Sequence, residues 1–411
     1  MRRPRGATTV AGQACARGGE WFVVRGSRFE KNGAHRCRRV AGVGVVALLL
    51  GVASAVAQAP APLVQEYKQR CVELMPQGLK QGVHKIILGP DGWLLLKDEL
   101  AYASADRFWG IAALSLKPNV PLEKVDAISA IAAFRDDLAK VGIELLFAPA
   151  PNRPMVVPEA VLGKGKIPPG RTTPRLQPVE EEFYAALRAR GVEAIDLTKV
   201  MLAHRQSEHG PLYVPGDSHW TGAAVALAAG EIGAWAKRRP WYKDVAKQRF
   251  ETSWVTVEHF GYLYKDLHER AGLEKRPPDT VQVRKVRAAA TDGTTTEIEE
   301  RNPTSPVVLI GDSQTIWWRP RGQEGSLYHQ LAAELGFPVD TLDTVGGGTN
   351  ESRLNLVREA RSTAGYLAGK KLVIWCFSSR SLLGHKDGWL RTPLDAPTTT
   401  GGPATAPPSA D

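Results

Sequence analysis

Two short segments of the chain carry the residue types that acyl-transfer chemistry requires. In the first segment, an apolar run at 308–310 leads into Gly311, Asp312 and Ser313. A glycine at the end of a buried strand permits a sharp turn, which presents the serine at the edge of a sheet. There the serine hydroxyl can act as a nucleophile, and the serine N–H can face a developing oxyanion. The same tripeptide is also an ordinary helix cap, so it decides nothing by itself.

The second segment places Asp217 two residues before His219, and Trp220 follows directly. Residues that are two apart in extended backbone project to the same side. The carboxylate can then accept the imidazole N–H, fix the ring tautomer and favour the protonated ring, as a general base for serine requires. The alternative is that Asp217 caps the helix beginning near Thr221. Together, the two segments favour a serine-based triad of Ser313, His219 and Asp217.

The two segments resemble those of the alginate O-acetyltransferase family, which consists of SGNH hydrolase-like periplasmic proteins that acetylate exopolysaccharide. In that family the Asp-x-His-Trp segment precedes the serine, so the resemblance implies a circularly permuted order of the SGNH motifs. Similar blocks lie at 89–94, 149–153, 157–159 and 372–375, and the resemblance covers about residues 79–383. The last block departs from the family because Cys376 stands where an acidic residue is frequent. The chain resembles the shorter, single-domain members.

The resemblance implies a two-step transfer of acetyl groups through an acetyl-serine, with no metal ion and no organic cofactor. It also implies a polysaccharide acceptor, such as alginate, and a membrane-bound partner protein that supplies the acyl group. Two other functions remain open on the residues alone. One is a carbohydrate acetylesterase, in which water resolves the same acyl-enzyme. The other is a non-catalytic, polysaccharide-binding scaffold subunit of a secretion complex.

Four further residues are candidates for the oxyanion or substrate site. Gly348 ends a glycine run and Asn350 follows two residues later; the backbone N–H of this run and the side-chain amide of Asn350 can donate to an oxyanion. The alternative is that Asn350 merely caps a helix beginning at the next residue. Arg380 matches an arginine that the family carries in its last block. Arg153 lies in a Pro-rich loop at 149–158 and either lines the cleft or forms a surface salt bridge.

Other tempting residues carry weaker signals. Trp317 and Trp318 follow the candidate nucleophile, and they either stack on a sugar ring or pack in the core. His204 and His209 lie in a polar stretch without a third ligand at suitable spacing, so we expect no metal site there. Four histidines have no sequence context that indicates a role: His259, His268, His329 and His385.

The elements that must position these residues alternate along the chain. Apolar runs predict strands at 86–88, 93–96, 143–148, 192–197, 307–310, 339–342 and 372–377. Periodic apolar residues predict helices at 63–75, 122–140, 178–190, 221–237, 325–335 and 351–361. The alternation predicts an α/β fold with a mainly parallel sheet and helices on both faces. This is the SGNH-like, flavodoxin-like arrangement that the resemblance also implies.

One SGNH-like domain is expected to span 58–392. Residues 242–302 break the alternating pattern, and we expect them to form an inserted cap or antiparallel excursion. Residues 393–411 are rich in Pro, Thr and Ala, which predicts a disordered tail.

The net charge of +10 does not indicate nucleic-acid binding. Residues 1–57 carry ten Lys/Arg and two Asp/Glu, which leaves a net charge of +2 on the remaining chain. Arginines before an apolar run at 40–52, followed by small residues at 55–57, are typical of an export signal. We expect it to be cleaved before Gln58 or kept as an anchor, and we expect the protein in the periplasm. That compartment permits a disulfide between Cys71 and Cys376 without requiring one.

Overall fold

The structure is a computed structural model, and it describes residues 59–81, 84–167, 173–271, 277–319, 322–384 and 387–394. The signal expected at 1–57 and residues 395–411 of the expected tail lie outside these ranges, as does His385. The helices within the described ranges are α1 (Ala61–Leu74), α2 (Lys97–Ser104), α3 (Ala113–Leu116), α4 (Leu122–Val125), α5 (Ala127–Lys140), α6 (Arg153–Val156), α7 (Glu159–Leu162), α8 (Val179–Ala189), α9 (Leu197–Ala203), α10 (Gly222–Lys237), α11 (Tyr262–Ala271), α12 (Ser313–Ile316), α13 (Leu327–Leu335) and α14 (Gly348–Ser362).

The strands in the same ranges form three sheets. They are β1 (Leu79–Gln81), β2 (His84–Leu88), β3 (Leu94–Leu96), β4 (Glu144–Phe147), β5 (Glu193–Ala194), β6 (Phe250–His259), β7 (Asp279–Ala289), β8 (Thr295–Thr296), β9 (Val307–Gly311), β10 (Asp340–Thr341) and β11 (Leu372–Cys376). The central sheet has the order β10-β9-β11-β4-β5, and all its pairs are parallel. Its parallel pairing confirms the predicted α/β class.

Alternation along the central strands divides the core into two layers. In β11, Val373 and Trp375 belong to one buried cluster, which also contains side chains of α1, α5 and α8. Leu372 and Ile374 belong to a second cluster, which contains side chains of α9, α10 and α13. Because successive side chains of a strand point to opposite faces, helices cover both faces of the sheet, as predicted.

Gly311 ends β9 in a position that has no room for a side chain. It lies opposite Cys376 in the register with β11. A Cβ atom at Gly311 would lie 2.0 Å from the carbonyl oxygen of Cys376. The missing side chain therefore lets β9 end tightly against β11, so that α12 begins with Ser313 at the carboxyl edge of the sheet.

The predicted excursion is an antiparallel sheet of β6, β7 and β8, with α11 in the connection between β6 and β7. The apolar side chains Val281, Val283 and Val286 of β7 are buried in the cluster that also contains α10 and α13 side chains. A Cβ atom at Gly222 would lie 2.6 Å from the Cα atom of Val283, so α10 and β7 approach closely. The excursion is therefore packed against the helix that follows His219.

Several predicted boundaries were wrong. The helix expected at 122–140 is interrupted at Asp126, whose side chain accepts the N–H of Ile128 and caps α5. The strand expected at 192–197 is shortened to β5, because Asp196 caps α9. The loop expected at 149–158 contains α6, and the helix expected from 351 begins at Gly348. At Asp126 and Asp196, a capping side chain decided the boundary against the apolar pattern.

The two cysteines of the described residues are free and buried, so the permitted disulfide is absent. Cys71 belongs to the cluster on one side of the sheet and Cys376 to the cluster on the other side. Burial raises the pKa of Cys71 to about 12 and the pKa of Cys376 well above its ordinary value. Both side chains therefore act as small core residues. Within the ranges described, no helix is long and apolar enough to cross a membrane.

Candidate active site

Ser313 lies at the carboxyl end of β9, as the first residue of α12. The preceding residue, Asp312, accepts the N–H of Gln314 at 3.0 Å and the N–H of Ser378 at 3.0 Å. These two bonds cap α12 and connect the end of β9 to the segment after β11. Asp312 therefore holds the serine turn in place, while the triad takes its carboxylate from elsewhere.

Trp220 connects the histidine segment to the serine turn. Its side chain is fully buried, and its indole N–H donates to the carbonyl of Gln314 at 2.8 Å. In return, the indole N–H of Trp318 donates to the carbonyl of Trp220 at 2.8 Å. The tryptophan that follows the histidine is therefore a structural part of the motif, because it fixes the distance between two segments that are remote in sequence.

The side chains of Ser313, His219 and Asp217 form a continuous hydrogen-bonded row. Nε2 of His219 lies 2.9 Å from Oγ of Ser313. Nδ1 of the same ring lies 2.8 Å from Oδ1 of Asp217. These distances match the arrangement of a nucleophile, a base and an orienting carboxylate. Asp217 also accepts the N–H of His219 at 2.9 Å, so the two-residue spacing closes a local turn around the carboxylate.

The carboxylate of Asp217 is buried and negatively charged. Burial alone raises its pKa, but the charge and hydrogen bonds of His219, and then those of His259, lower it. The net effect holds the pKa of Asp217 well below its usual range. A carboxylate that stays ionised near a buried imidazole stabilises the imidazolium form, which a general base passes through.

Trp317 holds the ring of His219 from one face. The two rings are stacked, with centroids 3.7 Å apart and planes inclined by 5°. Trp318, the next residue, is buried and lies 5.0 Å from the ring of His259. Of the two roles considered for these tryptophans, core packing applies to Trp318. Trp317 stacks on the histidine itself.

The triad opens into a cavity of about 840 Å³. Its wall includes Ser313, His219, Trp317, Arg380 and Gly348. Arg380 is the one Lys or Arg side chain among the described residues that line it. The structure therefore brings the two candidates Arg380 and Gly348 together with the triad, in a space large enough for a substrate that carries several polar groups.

Two predicted site residues are placed differently. Asn350 accepts hydrogen bonds from Arg353 at 2.8 Å and from the N–H of Leu390 at 3.1 Å, and its amide donates to Gly388 at 3.0 Å. These contacts occupy Asn350 in holding the C-terminal segment, so the expectation that its side chain serves the oxyanion was wrong. It also lies within α14 and does not precede it.

Arg153 is neither on the surface nor in the cleft, contrary to both expectations. Its side chain is fully buried and pairs with the buried Glu99 at 3.0 Å. It donates further to the backbone carbonyls of Asp217 and Leu94. Arg153 therefore supports the backbone that carries the triad carboxylate.

His259 and Tyr262 were not predicted as site residues, and the excursion brings both of them to the site. Nε2 of His259 lies 2.7 Å from Oδ2 of Asp217, and the N–H of Tyr262 donates to the same oxygen at 3.2 Å. Both side chains line the cavity. His259 ends a strand in a polar stretch, and the sequence pattern of such a stretch is the same as that of a solvent-exposed β-ribbon.

Three other histidines are placed away from the triad. His204 lies next to the carbonyl of Val200, and His209 stacks on Trp254 with ring centroids 3.7 Å apart. His329 is buried beside Ser326. No group of three or more metal-ligating side chains is found among the residues that the structure describes.

Comparison with known proteins identifies the family to which this fold and this site are similar. Residues 86–379 match the model of a family described as SGNH hydrolase-like domain, acetyltransferase AlgX. A probable alginate O-acetylase AlgJ of Pseudomonas syringae pv. tomato is 27% identical over 154 residues, which cover 38% of this chain and 34% of that protein. The match therefore spans about a third of that relative's length.

Two solved structures are also similar. The O-acetyltransferase domain of Pseudomonas putida AlgJ is 24% identical, with a TM-score of 0.52, over 74% of this chain and 94% of that one. Pseudomonas aeruginosa AlgX is 18% identical, with a TM-score of 0.49, over 73% of this chain and 67% of that one. The first of these likenesses supports the fold.

Proposed function

The chain belongs to the AlgX family of SGNH hydrolase-like acetyltransferase domains, and on this premise we propose that it transfers acetyl groups to polysaccharide hydroxyls through an acetyl-serine at Ser313. The observation that carries the proposal is the row of hydrogen bonds from Ser313 through His219 to Asp217 at the cavity wall. The motif order predicted this family from the sequence alone.

In the first half-reaction, Nε2 of His219 takes the proton of the Ser313 hydroxyl as Oγ attacks the carbonyl carbon of the acetyl donor. The tetrahedral intermediate collapses, the bond to the donor oxygen breaks, and His219 returns the proton to that oxygen. In the second half-reaction, a sugar hydroxyl gives its proton to His219 and attacks the acetyl-serine. The proton then passes to Oγ of Ser313 as the ester bond breaks.

The oxyanion formed in both steps is assigned to two backbone donors. One is the N–H of Ser313, which begins α12. The other is the N–H of Gly348, which begins α14 and lines the cavity. The first N–H groups of a helix have no acceptor within the helix, so they are suited to receive a developing negative charge. Gly348 has φ +50°, a left-handed conformation that favours glycine.

The proposed acceptor is an acidic polysaccharide of the alginate type. Arg380 supports this choice, because its side chain lines the cavity and contacts Ser378 at 2.9 Å. A guanidinium group binds carboxylates through paired N–H groups. The curated relative is named as a probable alginate O-acetylase. We also propose that a membrane-bound partner protein supplies the acetyl group.

Mass spectrometry of the purified protein tests the acetyl-serine. After brief exposure to an activated acetyl ester such as p-nitrophenyl acetate, we expect one acetyl group on the peptide that contains Ser313. An oligosaccharide of the acceptor should discharge this adduct faster than water does. The variant Ser313→Ala should carry no adduct on this peptide. Acetylation of lysines alone, at equal levels in both proteins, would contradict the proposal.

The proposed location is the periplasm. Its support is the arrangement of arginines, the apolar run at 40–52 and the small residues at 55–57. Sequencing of the N-terminus of protein from the cell envelope is expected to begin near Gln58, or to read the uncleaved chain in the membrane fraction. Recovery of the uncleaved chain in the cytoplasm would argue against export.

A further inference from the structure

The orienting carboxylate of the site is shared by two imidazoles. Oδ1 of Asp217 faces His219, whereas Oδ2 faces His259 at 2.7 Å. The N–H of Tyr262 donates to Oδ2 as well, at 3.2 Å. With the N–H of His219 on Oδ1, each carboxylate oxygen has two hydrogen-bond partners. Neither oxygen is left without a donor, so the orientation of the carboxylate is determined from both sides.

Local packing holds His259 at this carboxylate. His259 is the last residue of β6, and Gly261 turns the chain into α11 with φ +74°. A Cβ atom at Gly261 would lie 2.2 Å from the carbonyl oxygen of Gly216, so the turn lies directly against the segment that carries Asp217. The ring of Trp318 lies 5.0 Å from the ring of His259. The ring of His259 therefore has little freedom to leave the carboxylate.

The charged and titratable groups around His259 come from several elements. The segment before α10 contributes the carboxylate of Asp217 and the ring of His219. Within α11, burial raises the pKa of Tyr262, while the charge of Arg380 acts on it in the opposite direction. On β7, Asp279 stands opposite His259 in the strand register. Of these groups, the carboxylate of Asp217 lies within hydrogen-bond distance of the ring of His259.

Two donors on one carboxylate divide its negative charge between them. A hydrogen bond to one carboxylate oxygen disperses negative charge, so that less charge is left to interact with the donor on the other oxygen. The side chain of His259 is 16% exposed, compared with 5% for His219 and 1% for Asp217. His259 thus lies at the cavity wall, close to the substrate space yet one carboxylate away from Ser313.

We propose that His259 is a positioning residue of the acetyl-transfer site: its Nε2–H fixes the carboxylate of Asp217 towards His219 and disperses part of the negative charge of that carboxylate. This inference rests on the proposed function. It adds a fourth side chain to the row, so that the order becomes His259, Asp217, His219 and Ser313. His259 acts through Asp217 and does not exchange a proton with the substrate.

Two variants distinguish the effect of the N–H donor of His259 from the effect of the volume of its ring. His259→Gln keeps an N–H at about the position of Nε2, whereas His259→Leu keeps comparable volume and removes the donor. For His259→Leu we expect kcat/KM for acetyl-enzyme formation to fall about 10- to 100-fold, with most of the loss in kcat. His259→Gln should restore the rate to within about threefold of the wild type.

The pH profile distinguishes positioning from packing. In His259→Leu, the acidic limb of the kcat/KM profile should move to higher pH by about half to one unit, because the carboxylate of Asp217 loses a donor that disperses its charge and lowers its pKa. The limb should stay near its wild-type position in His259→Gln. Equal loss of activity in both variants, or full activity with an unmoved limb in His259→Leu, would overturn the inference.

A measurement that needs no turnover keeps this test separate from that of the proposed function. In protein labelled with ¹⁵N-histidine, NMR should find Nε2 of His259 and Nδ1 of His219 protonated at neutral pH. In His259→Leu the Nδ1 proton signal of His219 should shift or broaden. A wild-type protein that forms no acetyl-enzyme but shows these tautomers would refute the proposed function alone. An unprotonated Nε2 in His259 would refute the positioning role alone.

Discussion

Ser313→Ala is expected to lower the rate of acetyl transfer by about 10⁴- to 10⁶-fold, because members of a triad act as a unit. The substitution removes the atom that attacks the acetyl donor. It leaves in place the hydrogen bond by which the N–H of Gln314 donates to the capping side chain of Asp312. The fold should therefore be retained. His219→Ala should cost about as much, and the double variant should lose little more than either single variant. Rates of acetyl transfer to an oligosaccharide, with Tm as the measure of folding, check this result.

The matched control is Ser381→Ala, which removes a serine hydroxyl from the same cavity wall outside the triad. Its transfer rate should stay within about threefold of the wild type, as expected for a side chain outside the reacting row. A non-catalytic scaffold subunit would give a different result. In cells, normal glycan acetylation by well-expressed Ser313→Ala and His219→Ala proteins, together with its loss on deletion of the chain, would refute Ser313 as the nucleophile.

Arg153→Met is expected to lower the free energy of unfolding by about 3–5 kcal/mol, because it leaves a buried carboxylate without its partner. Arg153 and Glu99 are both fully buried, and their side chains pair at 3.0 Å. The same guanidinium group donates to the backbone carbonyl of Asp217, so the loss should also loosen the triad. Urea unfolding measures the first effect, and the rate of acetyl-enzyme formation measures the second.

An exposed ion pair provides the comparison for Arg153. Arg358 pairs with Glu351 at 2.9 Å, but the two side chains are 61% and 45% exposed. Arg358→Met should therefore cost no more than about 1 kcal/mol. Combining Arg153→Met with Glu99→Leu should recover part of the lost stability, because no unpaired charge remains. Equal stability of Arg153→Met and Arg358→Met would contradict the structural role that we assign to Arg153.

The fold was largely predictable, because the central strands are continuous apolar runs and the helices have clear apolar periodicity. The strand at 307–310 and the helix at 221–237 are observed within a residue of their expected ends. Short elements were not predictable in the same way. Asp126 and Asp196 end or begin helices through capping bonds from their side chains, which a pattern of apolar residues does not record.

The candidate site was predicted where its geometry is local. Asp217 and His219 are two residues apart, and their contact follows from a short turn that the segment itself can form. The serine turn likewise follows from an apolar strand that ends in glycine. The sequence by itself therefore determined the α/β class and the family, and it identified the three side chains that the structure joins in one hydrogen-bonded row.

Tertiary structure alone decided which distant side chains complete the site. Ser313 and His219 are 94 positions apart, and the bonds of Trp220 and Gln314 set their distance. His259 contacts the carboxylate of Asp217 because the antiparallel strands β6 and β7 pack against α10. Arg153 donates to the backbone carbonyl of Asp217 from within the core. Such contacts depend on how whole elements pack against one another. A residue's type and its immediate neighbours do not specify that packing, because the same local pattern serves an exposed ribbon and an active-site wall.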